Sequence, residues 1–196
     1  EVVEEVLPEV PVREALAPAV EALSQEFPGA LTWISEDTDA LMFTTVSFRE
    51  KFGDDDLAKL KDVAPHLRWL DLSSSGVTDA GLAEALPAMT RLERLNLSNT
   101  EIKGDALPAL PEEASLKMLN LFNTKADDGT IVLLAQQSGL ERLYTGQTNI
   151  GSGAIRGLSL IAPGCEVIGS VDFKPVAPPE KPKEEPAQEK KAPPAP

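Results

Sequence analysis

The feature that most constrains this fold is an eleven-residue motif that occurs four times in the 196-residue chain. The copies read LRWLDLSSSGV, LERLNLSNTEI, LKMLNLFNTKA and LERLYTGQTNI, and they start at Leu67, Leu92, Leu116 and Leu140. The copies therefore follow one another at nearly equal intervals along the chain. A near-constant period of this kind indicates a stack of similar units, because one such unit cannot bury its apolar edge alone.

Each copy of the motif predicts a short strand whose successive side chains point to opposite faces. In the first copy, Leu70 and Leu72 are expected to face the core, while Trp69, Asp71 and Ser73 face outward. The period of about 24–25 residues lies within the range of leucine-rich repeats. The motif therefore predicts the stacked strands of a leucine-rich-repeat solenoid.

A turn and a helix are predicted after each strand, since VTDAGLAEAL, IKGDALPAL, ADDGTIVLLA and IGSGAIRGL occupy matching positions. Asp79, Asp127 and Ser152 are the expected N-caps, because short polar side chains accept hydrogen bonds from unpaired N–H groups of the first turn. The acidic triplet 54–56 falls in the same register, and capping is favoured over metal binding there. The apolar helical face is expected to begin at Leu82, Leu107, Ile131 and Ile155.

The period extends the array to about five β-α units. One further unit is expected at FTTVSF, where Phe43, Val46 and Phe48 imitate the leucine spacing, and CEVIGSV from Cys165 is a looser continuation. Where many leucine-rich repeats have asparagine after the strand, this chain has hydroxyl side chains, which we expect to form a ladder along the stack. These residues are Ser75, Thr100, Thr124 and Thr148.

The segments around the array have different compositions. Residues 11–42 predict an N-terminal cap, with a helix over PVREALAPAVEALSQEF followed by strands in GALTWIS and ALMFTTVSF. Residues 43–173 hold the repeats, and 1–10 are an expected linker. Residues 174–196 contain eight prolines and no aromatic residue, which predicts a disordered tether. A ligand for an SH3-type domain is the alternative for that tail.

Charge and composition exclude several classes of function. A net charge of −14 disfavours nucleic acid and anionic membrane surfaces as partners. No apolar run approaches the roughly 20 residues of a membrane span. A single cysteine permits no internal disulfide, zinc knuckle or covalent haem attachment. We expect a monomer in isolation.

The sequence predicts that the chain is not an enzyme. The single histidine, His66, has no nucleophile and acid at a recognised spacing, and a position at a helix end is the favoured interpretation. Cys165 stands where a core leucine stands in other units, which predicts a buried thiol. No catalytic, cofactor-binding or metal-binding residue is assigned.

The outward strand positions predict a protein-binding surface on the concave face of the solenoid. Large aromatic side chains, methionine and arginine are enriched in protein interfaces. The predicted contact residues are Trp69, Asp71, Arg94, Asn96, Met118, Asn120, Phe122, Arg142 and Tyr144. We expect a non-catalytic interaction module with a protein partner whose identity the sequence leaves open.

LDLSSSGVTDAGL, LNLSNTEI and LNLFNTKADD resemble the short leucine-rich repeats of large planctomycete- and verrucomicrobial-type bacterial proteins. The resemblance covers roughly residues 12–170. Some of those proteins carry a c-type cytochrome domain, which implies an alternative function as an accessory or spacer domain of an electron-transfer protein. Because the chain begins at Glu1 rather than Met, we expect a processed product or an excised segment of a longer protein. The resemblance also implies an extracytoplasmic location.

Overall fold

One sheet organises the molecule, and its strands follow one another in chain order. The computed structural model describes residues 12–111, 114–135 and 139–169. The predicted linker 1–10 and the predicted tail 174–196 lie outside these ranges. Across the described ranges, the strands of the seven-stranded sheet are β1 Leu31–Trp33, β2 Leu41–Thr44, β3 Leu67–Asp71, β4 Arg94–Asn96, β5 Met118–Asn120, β6 Arg142–Tyr144 and β7 Glu166–Ile168.

Strand pairing follows the period of the motif. Trp69 pairs with Arg94, Arg94 with Met118 and Met118 with Arg142, all in parallel. β1 is the exception, because it pairs antiparallel with β2. The predicted register of the four leucine motifs is confirmed.

Helical segments connect the strands and give a mixed α/β fold, as predicted. In the part of the chain that is described, the α-helices are α1 Val12–Glu26, α2 Asp54–Ala58, α3 Asp79–Ala85, α4 Asp128–Leu134 and α5 Ser152–Ile161. Short 3-10 helices are found at Arg49–Lys51, Lys59–Asp62, Ala64–His66, Leu86–Ala88 and Leu107–Ala109.

A ladder of leucines forms the core. Leu70, Leu95, Leu119 and Leu143 share the inward position of adjacent strands and are at most 1% exposed. Burying a leucine side chain contributes roughly 1.5–3 kcal/mol relative to leaving it exposed. Stacking of similar units therefore stabilises the sheet along its whole length.

At the start of the array, phenylalanines replace leucines. Phe27 at the end of α1 makes edge contacts with Phe43, Phe48 and Phe52 at ring-centroid distances of 5.9, 5.6 and 5.4 Å. Lys59 joins α1 to α2 through Glu26 at 2.5 Å, and it also binds Asp56 at 2.8 Å. The aromatic cluster and this ion pair attach α1 to the first strands.

The predicted alignment of the first unit is wrong by several residues. Phe43 pairs with Leu70 rather than occupying the position of Leu67, and Val46 is 54% exposed. The inward position after Phe43 is held by the buried Thr45, whose N–H donates to the carbonyl of Asp71. The apolar spacing of FTTVSF imitates the motif, but the strand ends at Thr44.

The last strand also differs from the predicted alignment. Because Arg142 pairs with Glu166, the position equivalent to Leu140 is Gly164, and Cys165 stands one position later. Its thiol is nevertheless buried, with 8% of the residue exposed, and burial raises the pKa of Cys165. The predicted burial is confirmed, although the predicted alignment is wrong.

Two of the three predicted N-caps are wrong. Asp127 caps α4 by accepting from the N–H of Gly129 at 2.8 Å, as predicted. Thr78 rather than Asp79 caps α3, and Gly151 precedes α5 without a side-chain cap. Helices α3 and α5 each begin one residue earlier than the predicted cap implies.

The predicted helix in IKGDALPAL is reduced to the 3-10 helix Leu107–Ala109. Gly104 stands at φ +94° where other units begin their helices, and Pro108 has no N–H to donate. Leu107 is still buried, so the apolar position is kept without the α-helix.

The hydroxyl side chains after the strands do not form a ladder along the stack. Each donates to the carbonyl three residues earlier in its own unit, at 2.6–2.8 Å. The donors are Ser75, Thr100, Thr124 and Thr148. They close the bend locally, while a different side-chain contact joins adjacent bends, from Asn123 Nδ2 to Asn99 Oδ1 at 3.0 Å.

Candidate protein-binding surface

The side of the sheet opposite the leucine ladder is called the open sheet face below. Its central row runs across the strands and contains Trp69 and the residues that align with it through successive strand pairs. The members of the row are Met42, Trp69, Arg94, Met118 and Arg142. Each of these side chains is partly or fully exposed. The register of the sheet therefore places four of the predicted outward residues, Trp69, Arg94, Met118 and Arg142, in one row, and adds Met42.

Met42 was missed because the alignment of FTTVSF began at Phe43. The pairing of Met42 with Trp69 places it on the open sheet face. The signal that could have found it is the alternation of LMFT, in which Leu41 and Phe43 are buried and Met42 lies between them.

A shallow groove crosses the row. It has a volume of about 180 Å³, and its walls are Met42, Trp69, Arg94 and Met118. This set is called the Trp69 groove. The guanidinium carbon of Arg94 lies 4.4 Å from the centre of the Trp69 ring, a cation–π contact that restrains both side chains. The groove therefore has apolar surfaces from Met42, Trp69 and Met118, and its lining also includes the guanidinium of Arg94 and the carboxylate of Asp71.

A second, more open cleft adjoins the groove, with Trp69 between the two. It has a volume of about 450 Å³ and is lined by Arg68, Arg91, Glu93 and the loop between β1 and β2. Arg68 is paired with Glu93, whose other oxygen lies 3.9 Å from Lys117. Asp37 and Asp39 also line the cleft, and Arg91 pairs with Asp39, so three carboxylates face two guanidinium groups and the cleft is weakly acidic.

Three of the predicted contact residues have a structural role instead of a free side chain. The side-chain oxygens of Asp71, Asn96 and Asn120 accept from the N–H two residues later, at 2.9, 3.1 and 2.9 Å. Asn96 also donates to Asp71 at 3.0 Å. These hydrogen bonds end the strands. A partner could therefore bind these oxygens only by breaking the hydrogen bonds that hold the bends.

Phe122 and Gly146 form a pair at the rim of the open sheet face. A Cβ atom at Gly146 would lie 2.8 Å from the Phe122 ring, so only glycine leaves space for the ring over the next strand. Phe122 remains 39% exposed in this position. The glycine thus gives the ring room over the next strand, and the ring still offers an apolar surface to solvent.

Arg142 and Tyr144 lie at the other end of the face, on β6. The Arg142 side chain is 60% exposed, and its Nε lies 3.8 Å from a carboxylate oxygen of Glu166. A pair this exposed contributes little to stability. The Arg142 guanidinium is consequently available to a partner at little cost.

His66 has an acid partner that the sequence did not reveal. Its Nδ1 lies 2.8 Å from Asp39 Oδ2, and the same oxygen accepts from Arg91 Nη1 at 2.6 Å. The hydrogen bond from Arg91 lowers the pKa of Asp39 to about 2, and the bond to His66 acts in the same direction. Among the described residues, the hydrogen bonds of this trio include no serine, threonine or cysteine, so it joins the β1–β2 loop to the array and offers no activated nucleophile.

The acidic triplet 54–56 acts within the fold. Asp54 accepts from Thr78 in the next unit, and Asp56 accepts from the N–H of Gly53 at 3.3 Å. Over the described ranges, no group of three or more histidine, cysteine, aspartate or glutamate side chains has the arrangement of a metal site. None of the described helices is long and apolar enough to cross a membrane.

No protein-family model and no curated protein matches the chain. Among solved structures, actin-binding site 2 of leiomodin-1 is similar over 76% of this chain and 88% of its own length, with 12% identity and a TM-score of 0.49. The C-terminal domain of tropomodulin from Caenorhabditis elegans is similar over 76% and 92%, with 14% identity and a TM-score of 0.49. Similarities at these values give no partner or activity to this chain, and its architecture rests on its own strand register.

Proposed function

We propose that the chain is a leucine-rich-repeat solenoid of five units that binds a protein partner through its open sheet face, without catalysis. The observation that carries the proposal is the row of large outward groups from Met42 to Arg142, which the strand register aligns and four of which form the Trp69 groove. Aromatic, methionine and arginine side chains are the types enriched where protein interfaces become fully buried.

The count of five units is supported by the bends. In each bend one non-glycine residue adopts a left-handed backbone conformation, with φ between 50° and 59°. These residues are Arg49, Ser74, Asn99, Asn123 and Gln147. They recur with the period of the leucine motif, and Arg49 extends that period to the first unit, whose strand is irregular. In this scheme α1, β1 and the β1–β2 loop form the N-terminal cap.

The contact energy of the proposed interface is concentrated in few residues. Trp69, Met118, Phe122, Arg142 and Tyr144 have side chains that a partner can cover without breaking the hydrogen bonds that end the strands. Arg94 acts mainly by holding the Trp69 ring. Asp71, Asn96 and Asn120 keep the face rigid, which lowers the entropy lost on binding.

The experiment is a capture assay that uses the full chain as bait in a lysate of the source cells. One variant carries Phe122→Ala and Tyr144→Ala. The matched control carries Val132→Ala and Leu160→Ala, two exposed apolar residues on the helices, 67% and 86% exposed. A partner kept by the control and lost by the Phe122/Tyr144 variant supports the proposal, provided that both melt cooperatively. Equal capture of the partner by the natural chain, the Phe122/Tyr144 variant and the control would show that the partner does not bind through the open sheet face.

A second proposal follows from the resemblance to bacterial proteins linked to c-type cytochromes: the chain spaces or orients a haem domain encoded upstream of Glu1. Within this chain the one cysteine cannot form the two thioether links of such a haem. Sequencing the gene upstream of Glu1 tests this proposal. A CxxCH motif there favours it, and its absence from the whole gene contradicts it.

A further inference from the structure

The Trp69 groove is apolar, open and unfilled by any described side chain, and the chain contains a segment whose chemistry matches it. Residues 174–196, KPVAPPEKPKEEPAQEKKAPPAP, contain eight prolines. We propose that this proline-rich segment is an intramolecular ligand of the Trp69 groove and competes with the partner for the open sheet face. The inference rests on the proposed function, since the groove belongs to the same surface.

The first argument is the chemistry of recognition. Proline-rich segments bind grooves lined by aromatic side chains, because the ring of proline packs flat on them and its backbone loses little entropy. Trp69 offers such a surface between the groove and the adjoining cleft, and Met42 and Met118 supply adaptable apolar walls.

The second argument is a match of spacings. A polyproline II helix advances about 9.3 Å in three residues. Two steps between neighbouring strands measure about 9.6 Å. Trp69 on β3 and Met118 on β5 are two strands apart. A segment crossing the strands can therefore place prolines three residues apart on Trp69 and Met118, and Pro179 with Pro182 has that spacing.

The third argument is reach. Trp69 on β3 lies four strands from β7, which is about 19 Å. The ten residues from the end of the described chain at Gly169 to Pro179 span about 31 Å when extended as polyproline II. Tethering also gives an effective concentration on the order of millimolar, so a peptide affinity of about 1 mM would fill roughly half of the grooves.

The fourth argument is charge. Residues 174–196 contain five lysines and four glutamates, a net charge of +1, so the rest of the chain carries −14 − 1 = −15. Lys181 and Lys183 flank Pro182, and Asp71 lines the groove. The segment therefore approaches an acidic body, and inside the groove its lysines meet the carboxylate of Asp71 next to the guanidinium of Arg94. The favourable charge acts mainly on the approach of the segment to the body.

The test uses Trp69 as the reporter. The chain has two tryptophans, so Trp33→Phe leaves Trp69 as the only one. In that background, the full chain is compared with a chain that ends after Phe173. We expect truncation to increase acrylamide quenching of Trp69 and to shift its emission to the red. Addition of a synthetic 174–196 peptide to the truncated chain should reverse both changes in a saturable manner.

Two variant peptides identify the contact. One has alanine in place of Pro175, Pro178, Pro179 and Pro182 and is expected to lose the effect. The matched control has alanine in place of Pro186, Pro193, Pro194 and Pro196 and is expected to keep it. Quenching that is identical in full and truncated chains, or equal binding of the two variant peptides, would overturn the inference.

Two further outcomes separate this inference from the proposed function. Protection of Trp69 that increases with protein concentration would assign the segment to a second copy of the chain and overturn the intramolecular contact. If truncation leaves Trp69 unchanged while Phe122→Ala with Tyr144→Ala still abolishes partner capture, only the tail assignment fails. If the inference holds, the truncated chain should capture more partner than the full chain.

Discussion

Both carboxylate oxygens of Asp54 accept hydrogen bonds from Thr78, one from its backbone N–H at 2.8 Å and one from its hydroxyl at 2.6 Å. Asp54 is the first residue of α2, and Thr78 is the residue that caps α3 in the next unit. Asp79, the first residue of α3, binds the N–H of Lys103 at 2.8 Å in the same way. The first residue of a helix thus fixes the start of the following unit.

Replacement of Asp54 by alanine is expected to lower the free energy of unfolding. Two hydrogen bonds to a charged acceptor are lost, and the N–H of Thr78 loses its partner, which together cost about 1–3 kcal/mol. Asp55→Ala is the matched control, because Asp55 is exposed and adjoins Asp54 in the same helix. Urea unfolding followed by circular dichroism measures both. Equal destabilisation by the two changes would contradict the structural role of Asp54.

Thr145→Val is expected to stabilise the chain. Thr145 is 4% exposed and occupies the inward position that leucine holds in the central units, and its hydroxyl has no hydrogen-bond partner among the described residues. Removing a buried, unsatisfied hydroxyl is worth about 1 kcal/mol.

Thr45→Val is the matched control for Thr145→Val. Thr45 occupies the same position in the first unit, but its hydroxyl donates to the carbonyl of Ser73 at 3.1 Å. We therefore expect Thr45→Val to be neutral or destabilising. Thermal unfolding of the two variants should change in different directions, and a lower melting temperature for Thr145→Val would count against the assignment.

Gln147→Asn is expected to stabilise the last bend. Gln147 has φ +59°, a left-handed conformation that asparagine adopts more readily than other side chains with a Cβ atom. We expect a gain on the order of 0.5 kcal/mol. The reciprocal change Asn99→Gln should destabilise, since it also removes the hydrogen bond from Asn123. Chemical denaturation measures the free energy of unfolding of Gln147→Asn and Gln147→Gly. If neither variant is more stable than the natural chain, the bend at Gln147 is not strained.

The register of the central units could be predicted from the sequence. The near-constant period of the motif and the alternation of buried and exposed residues in a strand allow only one alignment of the four strands. Trp69, Arg94, Met118 and Arg142 consequently share one row, as predicted. The first unit was misaligned for a physical reason. Val46 and Phe48 are apolar at the expected spacing, but both follow the strand, and Val46 is exposed rather than part of the core.

Side-chain partners were beyond the reach of the sequence. Asp39 is 27 residues before His66 and 52 before Arg91, in a loop whose path follows from the β1–β2 hairpin. Asp71 and Asn96 were predicted as contact residues because they face outward, but a short polar side chain at a strand end also competes for the local backbone N–H. Periodicity distinguishes faces of a strand, whereas the choice between a local and an intermolecular partner depends on backbone geometry.

The Asp39 trio predicts a loss of stability in acid. The pKa of Asp39 is about 2 in the folded chain, below its ordinary value of 3.8, chiefly because Arg91 donates to its carboxylate. A carboxyl whose pKa is lowered by folding stabilises the fold above its ordinary pKa, and this contribution disappears as the pH falls from about 4 to about 2. Its size is on the order of 2 kcal/mol, since each pKa unit corresponds to about 1.4 kcal/mol.

Asp39→Asn is therefore expected to be less stable than the natural chain at pH 7, with a difference that shrinks as the pH falls through that window. Asp37→Asn is the matched control, because Asp37 is exposed in the same loop. Urea unfolding at several pH values between 2 and 7 measures the difference, and the control should follow the natural chain throughout. Arg91→Met should raise the pKa of Asp39 towards its ordinary value, which carboxyl NMR titration can follow. Parallel stability curves for the natural chain and Asp39→Asn would show that the loop is held by other contacts, such as those of Arg13 with the carbonyl of Ser35 at 3.0 Å.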